Sequence, residues 1–340
     1  MKKKMQIEKM ECRVREIEIE EFCDRVQMAF EEIYQQEATV RIHRVYKTND
    51  ILLYGLVVTR KDRKMAPTIY LEEAYTDYLR GKVFGDVIYE LNQIYEKYDQ
   101  KEEIDVDFFT DFEKVRGKLS VKLINYELNQ ALLQDVPHIH FLDLAVVCHC
   151  IVVNDLIGNG SILIHENHMK LWKVDKRKMF EEALSNAQHI EPAQLKNMTE
   201  MLQEMYQESE SGKELEKVTV SANRCITRQL EEVAVQEGTQ EIQMYVLTNR
   251  NRYHGAAVIL YEGLLTKIAE SFHRSFYMLP SSVHEVILIP ANNGIEEDNL
   301  SKMVQEVNET QLMSEEVLAN HAYYFDQRKK ELEILPLIPE

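Results

Sequence analysis

The sequence predicts an α+β protein with mixed, mainly antiparallel sheets and packed helices, organised as two or three subdomains. Three observations carry that expectation. Apolar residues recur at helical spacing in several long segments, short extended runs are joined by tight polar turns, and hairpins rather than regular strand-helix-strand units connect them. A chain of 340 residues also has room for more than one core, since a domain takes ~100 to 200 residues.

The first helix is expected where Phe22, Val26, Ala29, Phe30 and Ile33 share one face and acidic residues fill the other. Two extended segments follow, Thr39 to Tyr46 and Ile51 to Arg60, and Lys47-Thr48-Asn49-Asp50 between them suits a hairpin turn. A third strand, Thr68 to Leu71, comes after Pro67, and Phe84, Val87, Ile88, Leu91, Ile94, Tyr95 and Tyr98 trace a second helix. The polar run Asp99 to Glu103 closes an N-terminal unit of residues 1–100.

A central unit, 101–206, is expected to hold a strand at Leu119 to Ile124, a short helix from Asn125 to Leu133, and an apolar strand from Phe141 to Val153. Gly158-Asn159-Gly160 then reads as a reversal into Ser161 to His165, followed by helix to about Asn186. Leu195, Met198, Leu202 and Met205 keep helical spacing between Pro192 and Tyr206, and the polar stretch 207–217 reads as a linker. The C-terminal unit, 218–340, offers a strand at Gln243 to Leu247 and a helix carrying Leu264, Leu265, Ile268, Ala269 and Phe272. Strands at Phe276 to Leu279 and Val283 to Ile289 come next, then a helix with Leu300, Val304 and Val307, and a closing strand pair at His321 to Phe325 and Leu332 to Leu335.

Fifty-eight acidic against forty basic side chains leave a formal charge of -18, which opposes association with nucleic acid or anionic lipid over long range. Lys and Arg are interleaved with the acids almost everywhere, so the surplus reads as a solvated surface and a protein partner stays open. Met1-Lys-Lys-Lys is not followed by the apolar stretch an export signal needs. The longest apolar run, Leu142 to Val153, is broken by His149 and falls short of the ~20 residues that cross a bilayer. Cys12, Cys23, Cys148, Cys150 and Cys225 form an odd, unpatterned set, which reads as reduced thiols in the cytoplasm.

Chemistry-bearing side chains crowd into one stretch. His138 and His140 share a strand face, Asp143 follows, Cys148-His149-Cys150 comes next, and His165 and His168 are neighbours on a helix. Imidazole, thiolate and carboxylate are ligands for zinc and related metals. The candidate metal set is therefore His138, His140, Asp143, His165 and His168, although the spacing matches no structural zinc pattern and Cys148 and Cys150 read as small hydrophobes in an apolar strand. The basic turn Asn249 to Gly255 supplies Arg250, Arg252 and His254 as candidate anion-binding residues ahead of a possible helix start near Ala256. Ser281 to Glu285 has no nucleophile elbow, and His284 reads there as a structural or surface imidazole. No catalytic residue is assigned. No cofactor motif is present, so no cofactor is implied.

Several phrases together resemble a known family: Lys47-Thr-Asn-Asp-Ile-Leu-Leu-Tyr-Gly-Leu, Ala66-Pro-Thr-Ile-Tyr-Leu-Glu, Val136-Pro-His-Ile-His-Phe-Leu-Asp-Leu-Ala-Val-Val, and Leu279-Pro-Ser-Ser-Val-His-Glu-Val-Ile-Leu-Ile-Pro. Met244-Tyr-Val-Leu-Thr-Asn with Gly255-Ala-Ala belongs to the same set. They are similar to an uncharacterised bacterial family of about this length, classed as a domain of unknown function and typical of gut Firmicutes, over nearly the whole chain. The C-terminal part also resembles, more distantly, an uncharacterised family from Bacillus-type bacteria. Neither resemblance implies an activity, a cofactor or a catalytic residue; what they imply is a cytoplasmic bacterial protein. The leading functional expectation is a non-enzymatic binding or regulatory protein. The alternatives are a metal-dependent hydrolase or transferase built on the histidine set, and an anion or nucleotide binder at Arg250 to Gly255.

Overall fold

The computed structural model describes residues 17–61, 66–99, 108–154, 158–201, 226–227, 242–291 and 297–335. The linker expected at 207–217, the boundary run beyond Asp99, and Cys12 and Cys225 lie outside them. Among the described residues the fold is α+β with three antiparallel sheets, as the hairpin-rich sequence predicts. The chain divides into two compact units, one of Met1–Lys47 with Leu52–Asp107, the other of Thr48–Ile51 with Phe108–Glu340.

In the first unit, helix α1 (Ile19–Tyr34) is followed by strands β1 (Ala38–Tyr46), β2 (Leu52–Arg60) and β3 (Thr68–Tyr70), then helices α2 (Glu72–Leu79) and α3 (Phe84–Asp99). The strands form an antiparallel sheet in the order β1-β2-β3. Its core gathers Phe22, Val26 and Phe30 from α1, Leu56 and Val58 from β2, and Leu91 and Tyr95 from α3. Each large side chain so buried stabilises the unit by ~1.5–3 kcal/mol. Ile33, expected on the buried face, is 49% exposed while Tyr34 is buried; the Tyr34 hydroxyl donates to Asn92 Oδ1 at 2.6 Å, which draws the last turn of α1 onto α3.

The second unit carries α4 (Phe112–Val115), β4 (Leu119–Asn125), β5 (His138–Phe141), β6 (Leu144–Asn154), β7 (Gly158–Leu163), α5 (Glu166–Trp172) and α6 (Lys176–Ile190). It continues with β8 (Ala193–Asn197), β9 (Tyr245–Asn249), α7 (Leu264–Phe272), β10 (Phe276–Ser282), β11 (Glu285–Pro290), α8 (Glu297–Gln311), β12 (Tyr323–Asp326) and β13 (Glu331–Ile334). Six strands make an antiparallel sheet in the order β13-β12-β10-β11-β9-β8, and β4, β6 and β5 make another, with β7 also on β6. The six-stranded sheet is covered on both faces. Phe276, Met278, Val286 and Leu288 enter one cluster, and the alternating Tyr277, Leu279, Ile287 and Ile289 enter another with Leu300, Val304 and Val307 of α8. Burial on both faces is why β10 and β11 read as unbroken apolar runs.

Several local expectations change. Residues 125–133 form short 3-10 turns at Glu127–Asn129 and Leu132–Gln134 instead of a helix. The expected strand Phe141 to Val153 is split by Leu142, whose φ of 56° turns β5 back onto β6. Gly158 to Gly160 lie within β7 rather than in the reversal. Ala193–Asn197, expected as helix, pairs with β9 as an edge strand, which satisfies its backbone where the side chains alone suggested a helical face. Among the described residues no helix is long and apolar enough to cross a membrane.

Candidate functional site

Two neighbouring strands of the second unit bring unlike groups into one place. In the β4-β6 register Ser120 lies opposite His149 and Lys122 opposite Val147, and directly opposed residues project from the same face of a sheet. Leu119, Val121 and Leu123, with Val146 and Cys148, take the other face into the apolar core. Ser120, Lys122 and His149 are thus left together on a face that is nonetheless buried, at 0%, 8% and 1% exposure.

The opposing side comes from distant segments. At the end of β9, Thr248 and Asn249 lead into a turn in which Arg252 and His254 both have φ of 53°. A 3-10 helix, Gly255–Leu260, begins immediately after. Gly255 is required at that start: a Cβ there would sit 2.1 Å from Thr248 Oγ1, 2.5 Å from the His284 carbonyl oxygen and 2.7 Å from Asn249 N. The close approach lets the His254 amide donate to Nδ1 of His284, 3.0 Å away at the β10-β11 corner. His284 is held in turn, its amide donating to Ser282 Oγ and its carbonyl accepting from Thr248 Oγ1. The Tyr253 and His254 rings meet at a tilt with centroids 4.1 Å apart, and the His254 and His284 rings stack with centroids 5.5 Å apart. His149 completes the row, its ring centroid 5.9 Å from that of His254.

Two buried glutamates flank these rings. Glu191, which caps the C-terminus of α6, accepts a short hydrogen bond from the Ser120 hydroxyl at Oε2 and one from Asn249 Nδ2 at Oε1, 3.4 Å away. Glu191 Oε2 lies 4.0 Å from His149 Nε2, and Glu316 Oε1 lies 3.8 Å from His284 Nε2. The Val283 amide donates to the Glu316 carbonyl and so holds that glutamate beside the corner.

Burial decides the charge states. It pulls the His149 imidazole down to about 3 and His284 to about 4, with the Lys122 ammonium adding to both. His254 is also held well below its usual range, by burial first and then by Lys122, His149 and His284. Part of the His254 residue surface meets solvent, but its Nδ1 is enclosed. Burial raises Glu191 and Glu316 above the usual carboxylate range. Near neutral pH the histidines are therefore uncharged, and their long contacts to the glutamates are not ion pairs. His149 Nδ1, His254 Nδ1 and Glu316 Oε2 are buried with no hydrogen-bond partner. Such orphaned atoms are uncommon in folded proteins and cost ~1–3 kcal/mol each. Strongly shifted titratable groups converging in one buried place are a mark of functional sites.

The residues singled out from the sequence are placed as follows. His138 and His140 do share a face, with ring centroids 6.0 Å apart, and His140 lies against Tyr126. His138 Nδ1 is 3.0 Å from the Val136 carbonyl. His165 Nδ1 meets Asp135 Oδ2 at 2.9 Å, while His168 Nδ1 accepts from the His165 amide. Asp143 is engaged elsewhere: its carboxylate holds His321 Nε2 and the Tyr323 hydroxyl, each at 2.8 Å. Among the described residues no group of three or more His, Cys, Asp or Glu side chains has a geometry that could hold a metal ion. Of the basic turn, His254 enters the buried cluster and Arg250 remains exposed.

His149, His284, Lys122, Ser120, Glu191 and Glu316 were not among the sequence candidates. A signal existed for three of them. In Leu119-Ser-Val-Lys-Leu and Val147-Cys-His-Cys a polar residue falls on every second position or interrupts an apolar run, and in a strand that places polar groups on one face. Nothing in the spacing joins these to Glu191, His284 or Glu316, which arrive from other elements.

No curated protein and no solved structure matches this chain. A family model does, over residues 19–327 of 340. Near full length, then, the chain belongs to the family of unknown function DUF5688.

Proposed function

We propose that this chain is a non-enzymatic binding protein whose ligand seats on the cluster of His149, His254, His284 and Lys122. One observation supports this above the rest: the Nδ1 atoms of His149 and His254 are enclosed without a hydrogen-bond partner, in a place built from four separate stretches of chain. A core needing only packing would carry apolar groups there at lower cost. A polar ligand restores the missing bonds. The proposal includes a bacterial, cytoplasmic setting, supported by the unpaired, buried thiols of Cys23, Cys148 and Cys150, and it disfavours nucleic acid as partner because of the net charge of -18.

Thermal-shift screening with organic acids, phosphorylated metabolites, nucleotides, nucleosides and sugars tests it, because a ligand at about 100 times its dissociation constant stabilises by ~2.7 kcal/mol. At least one class should raise Tm in the wild type and fail to do so in His254→Asn, which keeps a residue tolerant of positive φ. Catalytic turnover of a panel compound, abolished by one substitution in the cluster, would overturn the non-enzymatic reading.

A further inference from the structure

We infer that the group seated on the cluster is an oxyanion, of the kind borne by a phosphate ester or a carboxylic acid, and that it enters together with one proton, which settles on Nδ1 of His149. The inference rests on the binding reading above and adds the ligand's chemistry and its coupling to pH.

The geometry supports each part. His149 is 1% exposed and faces groups from three elements. Lys122 and Ser120 come from β4, Glu191 from the end of α6, and His254 from the start of the 3-10 helix. Its Nδ1 has no hydrogen-bond partner, and its Nε2 lies 4.0 Å from Glu191 Oε2; with the ring's one proton on Nε2, Nδ1 presents a bare lone pair. A bare lone pair repels an anion unless a proton lies between them. With that proton, Nδ1 becomes a charge-assisted donor, shorter and about twice as strong as a neutral one. Lys122 supplies the positive field from the neighbouring strand. After burial, its charge adds to the low basicity of His149, His254 and His284.

The two carboxylates bordering the site do not defeat this. Glu191 is occupied by the Ser120 hydroxyl and Asn249. Glu316 sits on the far side of His284 and is pushed toward its neutral form by burial, by Glu315 and against the Met313 backbone bond. In the free protein burial and Lys122 keep the His149 ring uncharged. An entering negative charge reverses that balance, since an opposite charge within ~4–6 Å favours the charged form. One negative group and one proton arrive together, so a carboxylate adds no net charge to the core, while a sulfate or phosphate ester leaves about one negative charge facing the Lys122 ammonium.

Isothermal titration with sodium sulfate and with sodium acetate, in two buffers of different ionisation heat, tests this on the full-length chain. Sulfate does not itself titrate near neutral pH, so any proton exchanged with it belongs to the protein. The expected result is uptake of about one proton per sulfate or acetate at pH ~7, with the dissociation constant rising about tenfold per pH unit. Preference for sulfate assigns a phosphate-bearing ligand, and preference for acetate a carboxylic acid. His149→Gln should abolish the proton uptake. Binding without proton uptake in the wild type, unchanged uptake in His149→Gln, or binding of neither probe overturns the inference. The wild-type heats decide it even if the variant fails to fold. If nucleosides or sugars raise Tm in the wild type and not in His254→Asn while neither anion binds, the oxyanion inference falls and the binding reading stands.

Discussion

At single residues, the cluster depends on groups whose position makes them costly. Gly255 is the clearest. The close contacts a Cβ would make, two of them to backbone atoms, leave no room without moving the turn that aims His254. Gly255→Ala is expected to destabilise the protein by ~1–3 kcal/mol, the usual effect of overpacking, with a lower midpoint in urea unfolding. An unchanged midpoint would show that the turn gives way freely. The histidines make a prediction about pH. Their folded pKa values lie below the usual 6.5, at about 3 for His149 and about 4 for His284. As pH falls from 6.5, the unfolded chain takes up protons that the folded chain refuses. Stability present above that point is lost on the way down, by ~1.4 kcal/mol per pH unit for each group. Glu191 and Glu316 act in the opposite sense, because their raised folded values let the native state bind protons first. The test is therefore the difference between wild type and His149→Gln in urea midpoints across that window. The variant should lose stability less steeply on acidification; parallel curves would place His149 in contact with water.

Among the elements, Asp143 joins the β5-β6 turn to β12 through His321 and Tyr323. Burial opposes the charge on both partners, yet the hydrogen bonds from His321 and Tyr323 prevail at Asp143, and the bond to Asp143 prevails at His321. Asp143 is lowered from 3.8 and His321 raised from 6.5. The Asp143 contribution is present above pH 3.8 and lost as the carboxylate protonates below it. The His321 contribution is complete below pH 6.5 and disappears as pH rises through the raised folded value. His321→Gln should thus cost most between those limits, by ~1.5–3 kcal/mol for a charge-assisted bond, and less in alkaline buffer. A penalty independent of pH would mean the pair is not charged. A simpler test concerns α6, whose N-cap Asp175 accepts from the Lys178 amide at 2.8 Å. Asp175→Ala should lower stability by ~0.5–2 kcal/mol, read from the denaturation midpoint. Legibility differs by element in a physical way. Helix α1 and the β1-β2 hairpin follow from periodicity and turn chemistry, because each has one wet face. The strand Ala193–Asn197 was hidden since edge pairing to β9 overrode a helical spacing of apolar residues.

For the whole molecule, the α+β architecture and its antiparallel sheets were legible because hairpin signals recur from Thr39 to Leu335. The site was legible only in fragments. The crowding of histidines between 138 and 168 points to His138, His140, His165 and His168, and the basic turn points to His254. The residue that links the two stretches is His149, reached through register: its pairing with Ser120 sets it on the face of Lys122, opposite Cys148. Glu191 and His254, which meet its ring, and His284 beyond His254 come from segments far along the chain, and such convergence is a property of the tertiary fold. The claim that those groups form one water-excluded, uncharged cluster awaiting an anion is most directly tested by NMR titration of the histidine rings between about pH 5 and pH 8, the range in which an ordinary imidazole changes charge. His149, His254 and His284 are expected to stay neutral throughout without ligand, and saturating sulfate is expected to protonate His149. Titration of these three rings near 6.5 in the free protein would contradict it.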